Sequence, residues 1–310
     1  MLAPALVPAA APRFDDEPLR RATLRTLLYA DIFDCPLSAG ELARYLIGQA
    51  ASALAVAVAL DGDDVLRREV ERSAGFIHLT GRGDIVPARL ARARESARLW
   101  PRARHYGAMI ARLPFVRMVA VTGALSMNNA RPDDDIDLFI LVQPGRLWLG
   151  RLFVIAVVKL AARRGIELCP NFVLSTDHLT LRNRNLYTAH EVAQLVPLSG
   201  RHWHRAFLDV NAWVSQVLPN AMPAAPTPPA NGRPPWSQKI AGGVLSLPVF
   251  DPLEEWEMRR KIKRLTARLG REGGTVALSA HECRGHFAAH DARILAAYQA
   301  RLAAHREVLR

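Results

Sequence analysis

Within the stretch from Val119 to Leu141, Asp135 and Asp137 flank a single apolar residue, and Gly123 precedes them by twelve positions in a sharp turn. In a strand, residues i and i+2 point to the same face, so the two carboxylates project side by side while Ile136, Leu138 and Ile140 point into a core. Carboxylates that close repel and raise each other's pKa unless a cation lies between them. Hard oxygens on a rigid strand suit Mg²⁺, which takes one or two protein carboxylates and leaves its other positions to water and substrate phosphates. The pattern therefore predicts phosphate chemistry at Asp135 and Asp137.

The two-part pattern, Thr122-Gly123-Ala124 followed by Asp135-Ile136-Asp137-Leu138, resembles the signature of the DNA polymerase β-like nucleotidyltransferase superfamily, over roughly residues 93 to 215. The resemblance implies an α+β fold, a nucleotidyltransferase core with a short mixed sheet. It also implies Mg²⁺ or Mn²⁺ held by Asp135 and Asp137, a nucleoside triphosphate as substrate, and transfer of a nucleoside monophosphate to a hydroxyl with release of pyrophosphate. A third carboxylate on the following strand would complete the site and deprotonate the acceptor. Glu167, in Ile166-Glu167-Leu168, fits that pattern, and period two puts Cys169 and Asn171 on its face. Asn171 lies nearer the middle of the strand, where the acid is expected, and an amide cannot act as base. The superfamily carries Ser or Gly where this chain has Ala124, so Ser126 or Thr122 is left to supply a hydroxyl, and the backbone around Gly123 to form an anion-binding nest. Gly123, Ala124, Ser126, Asn128 and Arg146 are accordingly expected to bind the nucleotide.

Several neighbours have plainer readings. Asp133 and Asp134 follow Pro132 as turn residues. Asn128 and Asn129 either contact a base or ribose or cap a short helix. Arg146, Arg151 and Lys159 begin or line the helix after the second strand; Arg146 is the best placed to reach a triphosphate, and a surface role is an equal alternative for each. His281, Cys283, His286 and His290 have metal-ligand types but match no standard zinc spacing, and a capped helix start is the expectation there.

The elements that must position these residues can be read around them. Apolar runs predict strands over 116–122, 135–142 and 166–174, with a helix over 147–163, an order that allows a sheet with helices behind one face. A capping box at Thr188–Glu191 opens another helix, and 202–218 shows helical apolar spacing. Residues 19–90 read as a winged helix: a helix at 19–31, a capping box Ser38–Glu41, a third helix over 63–73, and a ribbon of 76–80 and 85–86 around the turn Gly81–Asp84. Such a module puts a helix in a DNA groove or serves as a docking module, and acidic residues on the third helix favour docking. The boundaries expected are a tail at 1–18, the winged helix to 90, the catalytic core at 91–218, a Pro/Ala-rich linker at 219–236 and a helical domain at 237–310.

Composition bounds the partners. With 310 residues, 50% hydrophobic and 23% charged, the chain has the make-up of a globular protein. A net charge of +12, carried mostly by arginine, favours phosphates, nucleic acid or an acidic protein surface, although an Arg- and Ala-rich composition also follows from a GC-rich genome. The acceptor is thus expected to be a small molecule, nucleic acid or protein. Three dispersed cysteines and a start without a signal-peptide pattern predict a reducing cytoplasm. The apolar stretch 147–162 is short for a bilayer and interrupted by Arg151 and Lys159, so no membrane partner is expected. A second functional class remains alongside the enzyme: a non-catalytic, nucleotide-sensing winged-helix regulator that binds DNA.

Overall fold

The computed structural model describes residues 16–222, 236–272, 277–284 and 287–309. Its fold is mixed α+β, and it divides into two units. The first takes the residues as far as Ala88 together with Val217–Ala221 and Ala297–Arg310; the second takes Arg89–Gln216 and Met222–Ala296.

The first unit opens with α1 (Glu17–Asp31), whose N-terminal Leu19 N–H donates to Asp16 Oδ1 at 3.1 Å. The tail expected at 1–18 is therefore too long by its last residues, because Asp16 caps this helix and Pro18 fits its first turn. Then come β1 (Leu37–Ser38), α2 (Ala39–Arg44), α3 (Ala53–Gly62), α4 (Asp64–Glu69), β2 (Val70–Ser73) and β3 (Phe76–Leu79), with strand order β1-β3-β2. The capping box at Ser38 and Glu41 forms as expected. The ribbon does not lie where the sequence reading put it. Ala74 and Gly75, both at positive φ, make a two-residue turn that matches strand twist, so β2 and β3 pair directly. Residues 85–86, expected in a strand, instead begin α5 (Ile85–Ala111). The same turn cuts the expected third helix short at Glu69.

The second unit is built on a six-stranded sheet. Its chain order is β4 (Val116–Val121), α6 (Gly123–Ser126), β5 (Ile136–Val142), α7 (Leu147–Ala162), β6 (Leu168–Ser175), α8 (Leu186–Ala193), β7 (Val196–Ser199), α9 (Arg201–Val210) and α10 (Val214–Val217). After these come α11 (Trp236–Leu245), a short 3₁₀ turn, α12 (Asp251–Glu272), β8 (Ala277–Leu278), β9 (Glu282–Arg284) and α13 (Phe287–Ala304), of which the residues from Ala297 count with the first unit. The strand order is β7-β4-β5-β6-β9-β8; β5 and β6 run parallel and every other pair antiparallel.

Both faces of β5 are covered, which is why its sequence is apolar at every position but one. Ile136, Leu138, Ile140 and Val142 pack with Leu99, Tyr106 and Ile110 of α5 and with Trp148, Val154 and Ala161 of α7. On the opposite face Phe139 meets Phe172 of β6 and Phe207 of α9, with ring centroids 4.6 and 4.9 Å apart. The expected sheet with helices behind one face is thus extended to two covered faces. The helical domain expected at 237–310 is not separate: β9 pairs with β6, α12 packs on α7, and the end of α13 counts with the first unit. Of the linker expected at 219–236, residues 223–235 lie outside the described residues, and Asn220 is anchored, its amide donating to the carbonyls of Ala43 and Ala51 at 2.7 and 2.6 Å. No helix among the described residues is long and apolar enough to cross a membrane.

Glu254 of α12 caps α7, accepting the N–H groups of Trp148 and Leu149 at 2.7 and 2.8 Å. These are charge-assisted bonds to orphan donors at a helix N-terminus. Glu254→Ala is expected to lower stability by about 1–3 kcal/mol, measured by urea unfolding of the full chain.

Candidate functional site

β4 ends in Thr122, and the chain reverses at Gly123 with φ +65, a backbone region costly for any other residue type. The turn then enters the single helical turn of α6, and a loop leads on to β5. That loop is held by α5: Ser96 Oγ accepts the Ala130 N–H at 3.1 Å, Arg89 donates to the Asn128 carbonyl, and Trp100 Nε1 donates to Asn128 Oδ1 at 2.7 Å. Asp134 Oδ2 accepts the Arg131 N–H at 2.8 Å and closes the last turn before the strand. The chain thus brings Asp135 and Asp137 back against the turn it has just left.

At Gly123 a Cβ atom would collide with Asp137 Oδ2 and stand 3.2 Å from its Cγ. The Asp137 carbonyl also accepts the Thr122 N–H at 3.1 Å. The glycine is therefore required twice, for its φ and for the close approach of the carboxylate. Asp135, Asp137 and Cys169 form one cluster, with a ligand atom from each within 4.8 Å of the others. Burial, with the Asp135, Glu191 and Asp134 carboxylates adding to it, pushes the Asp137 carboxyl up to about 8. Burial and the same two aspartates push the Cys169 thiol up as well, and its soft sulfur suits Mg²⁺ poorly. What remains is a pair of hard oxygen donors in a place that favours a neutralising cation, a donor set that fits Mg²⁺ or Mn²⁺.

The third acidic position departs from expectation. Register pairs Asp137 with Cys169 across β5 and β6, and a bulge at Pro170 brings Asn171 Nδ2 within 3.4 Å of Asp137 Oδ1. Glu167 is exposed, lies before the first residue of β6, and contributes its carbonyl to Ile136 N–H at 2.9 Å. An amide therefore stands beside Asp137, and Glu167 is not the carboxylate that acts on it. That carboxylate is Glu191 of α8, which the sequence reading missed. It accepts a hydrogen bond from Thr122 Oγ1 at 2.9 Å, and burial, opposed by the bonds from Thr122 and Tyr187, pushes its carboxyl up to about 7. The capping box expected at 188–191 is replaced by Asn185, whose side chain accepts the Thr188 N–H, leaving Glu191 free of a capping role.

Of the expected nucleotide-binding residues, Gly123, Ala124 and Ser126 form the turn against the aspartates. Ser126 Oγ donates to the Gly123 carbonyl at 2.7 Å and Thr122 Oγ1 to Glu191, so both candidate hydroxyl protons are already used. Asn128 lies in the adjoining loop, with its side-chain oxygen taken by Trp100. Arg146 is corrected outright. It lies beyond the far end of β5, and Asp137 to Val142 alone spans about 17 Å at strand rise. Its buried guanidinium donates to the carbonyls of Gly145, Leu245, Ser246 and Leu247 and pairs with Asp251 at 2.6 Å. A five-donor fork suits a cluster of carbonyls as well as it suits phosphate. Of the His and Cys residues read near the chain's other end, His281 precedes β9, Cys283 is buried in that strand, His290 lies edge-on to Tyr187, and His286, beside the expected helix start, is outside the described residues.

Compared with known proteins, the chain matches no family model, no curated protein and no solved structure.

Gly123→Ala is expected to cost about 1–3 kcal/mol from the left-handed backbone and to weaken Mn²⁺ binding by displacing Asp137, read by thermal unfolding and by calorimetric titration. The pH dependence has a definite sign. With the folded-state carboxyl of Asp137 raised to about 8, the metal-free protein binds a proton there that the unfolded chain releases near the ordinary carboxylate range. The group's stabilising contribution is therefore full at acid pH and is lost as pH rises through about 8. A metal must displace that proton, so Mn²⁺ affinity is expected to rise about tenfold per pH unit up to about 8 and then level off.

Proposed function

We propose that this chain is a Mg²⁺-dependent nucleotidyltransferase that moves a nucleoside monophosphate from a triphosphate to a hydroxyl acceptor and releases pyrophosphate. The observation that carries the reading is the contact between Gly123 and Asp137, which holds two adjacent carboxylates against a glycine turn at a cost that burial and the nearby Glu191 and Asp134 carboxylates increase. Bound there, Mg²⁺ would neutralise charge on the triphosphate and favour in-line displacement at its α-phosphorus.

The protein's own groups have separable tasks in this reading. Asp135 and Asp137 would hold the ion. The first N–H groups of the Gly123–Ser126 turn, which like those of any helical turn lack an internal partner, face the phosphates. Glu191 replaces Glu167 as the third acid. A carboxyl raised to about 7 accepts a proton readily near neutral pH, and its bond to Thr122 ties it to the motif turn. The arrangement of the first unit, with α3 and α4 before a hairpin and strand order β1-β3-β2, supports the winged-helix reading of that unit. Its contribution would be acceptor or partner binding.

One observation favours a second reading. Asn171 occupies the position beside Asp137 where the resemblance calls for a carboxylate, and an amide there suits a protein that binds a nucleotide and metal without turnover. In that case the first unit binds DNA and the second senses nucleotide.

Incubation with each α-labelled nucleoside triphosphate and Mg²⁺ or Mn²⁺, alone and with cell extract, separates the two. Transfer of label by the wild type, abolished in Asp135→Ala/Asp137→Ala and reduced with loss of the near-neutral pH limb in Glu191→Gln, is the expected result. Metal-dependent nucleotide binding without transfer, together with duplex-DNA binding that falls steeply with salt, would establish the regulator instead.

A further inference from the structure

The outward side of α12 and the turn before it carry large apolar side chains in solvent. Leu247 and Val249, between α11 and α12, are 53% and 73% exposed, and Leu253 and Trp256 in the first turns of α12 are 43% and 57% exposed. The inward side of the same helix is already used: Glu257 is buried, and Met258, Ile262 and Leu265 pack against the core that includes α7. Past Trp256 the helix turns cationic. From Arg259 to Arg271 the sequence has seven Lys and Arg residues and no acid, and Arg259, Arg260, Lys263 and Arg264 are exposed. Pro252, Glu255, Trp256, Arg259, Arg260 and Lys263 line a shallow groove on this side, where the Arg260 guanidinium lies 5.0 Å from the centroid of the Trp256 ring.

We propose that this surface attaches the protein peripherally to an anionic lipid bilayer, with Leu247, Val249 and Leu253 entering the edge of the hydrocarbon, Trp256 in the interface and the cations from Arg259 onward on the lipid phosphates. The order along the chain carries the inference. An apolar tip, then an aromatic ring, then a Lys/Arg cluster is the order in which a bilayer presents hydrocarbon, interface and headgroups. At helical rise, Trp256 lies about 4–5 Å beyond Leu253 and Lys263 about 10 Å further, so a helix lying obliquely keeps all three within the interfacial layer of one leaflet. A protein partner suits the surface less well, because protein interfaces set polar groups in a rim around an apolar centre and are depleted in lysine. Here the apolar and cationic parts are separated along one helix.

The tip is held through its backbone, which leaves its side chains outside. Arg146 donates to the carbonyls of Leu245, Ser246 and Leu247, and Gln143 Nε2 donates to Ser246 Oγ at 3.3 Å. The acids in the first turns of α12 are each engaged: Asp251 with Arg146, Glu254 with the N–H groups that open α7, Glu255 with Arg259 and Glu257 with Arg260. Their repulsion of lipid phosphates is thereby reduced, and Lys263 and Arg264 lie beyond the last of these pairs. The whole surface belongs to the second unit. The expectation of no membrane partner rests on 147–162, which is α7 and packs in the core, so it does not bear on α12. What α12 presents is a helix for lying in an interface rather than crossing a bilayer.

The test is flotation of the full chain with vesicles of phosphatidylcholine alone and of phosphatidylcholine and phosphatidylglycerol in equal parts. The wild type is expected to float with the mixed vesicles and not with phosphatidylcholine, and its binding should weaken about tenfold or more when salt is raised from about 0.1 M to about 0.5 M. Val249→Asp, Trp256→Ala and Lys263→Glu/Arg264→Glu, all at exposed positions and checked for unchanged thermal unfolding, should each weaken binding about tenfold or more. In the wild type itself, brominated acyl chains in the mixed vesicles should quench tryptophan fluorescence, a readout that needs no variant, and the quenching should shrink in Trp256→Phe. Absence of flotation with the mixed vesicles would overturn the proposal. So would flotation that Val249→Asp and Trp256→Ala leave unchanged, which would mark a purely electrostatic patch of the kind that nucleic acid or an acidic protein takes. A wild-type dimer in sedimentation that Val249→Asp dissociates would overturn it as well, placing a second copy of the chain on the surface. None of these measurements reads nucleotidyl transfer, so the result stands apart from that activity.

Discussion

Repulsion between like charges organises the centre of this protein. Asp137 is the one polar position in a strand otherwise buried on both faces, and its carboxylate lies where a single methyl group on residue 123 could not fit. Every element around it serves that placement. The core of α5 and α7 beneath Ile136 and Leu138 fixes the pleat and therefore the face on which the aspartates emerge. The bonds from α5 to the 128–130 loop fix the point at which the chain returns. Glu191 adds a third acid from behind the turn, which heightens the same electrostatic demand.

At the start of β5 the donors are carboxylate oxygens, hard and crowded. Arg146 illustrates the opposite use of charge: it is spent entirely on joining α7 to the segment before α12, a structural bond made by a residue that phosphate chemistry would also have employed.

The sequence was legible where a local rule dominated. β4, β5, α7 and β6 all lie within two residues of the runs that predict them, because continuous apolar strands and a long apolar helix have few alternatives. The Asp135–Asp137 pairing followed from period two alone. Positions set by tertiary contact were not legible. Glu191 reaches the aspartate pair from a helix more than fifty residues away, and nothing in its local sequence distinguishes it from a capping glutamate. The hairpin was misplaced because Gly81-Arg82-Gly83-Asp84 carries stronger turn residues than Ala74-Gly75, yet the register of Val70 with Leu79 decided the matter. Strand β7, with Pro197, and the two- and three-residue strands β8 and β9 are too short for any periodicity to show. Pro197 is tolerated because β7 forms the sheet's edge.

The first unit is closed by residues from late in the chain. Tyr298 lies edge-on to Tyr29 with centroids 5.5 Å apart, and Arg301 pairs with Asp31 at 3.0 Å across 270 residues. During translation, Asp31 leaves the ribosome tens of seconds before Arg301 is made, at typical elongation rates of about 5–20 residues per second. For that interval α1 presents an uncovered apolar surface around Tyr29 while the segments that follow it are still being synthesised. Completion of the N-terminal unit therefore waits on the segment around Tyr298, and a nascent chain stalled before residue 298 would be a natural client for chaperones that bind exposed aromatic helices.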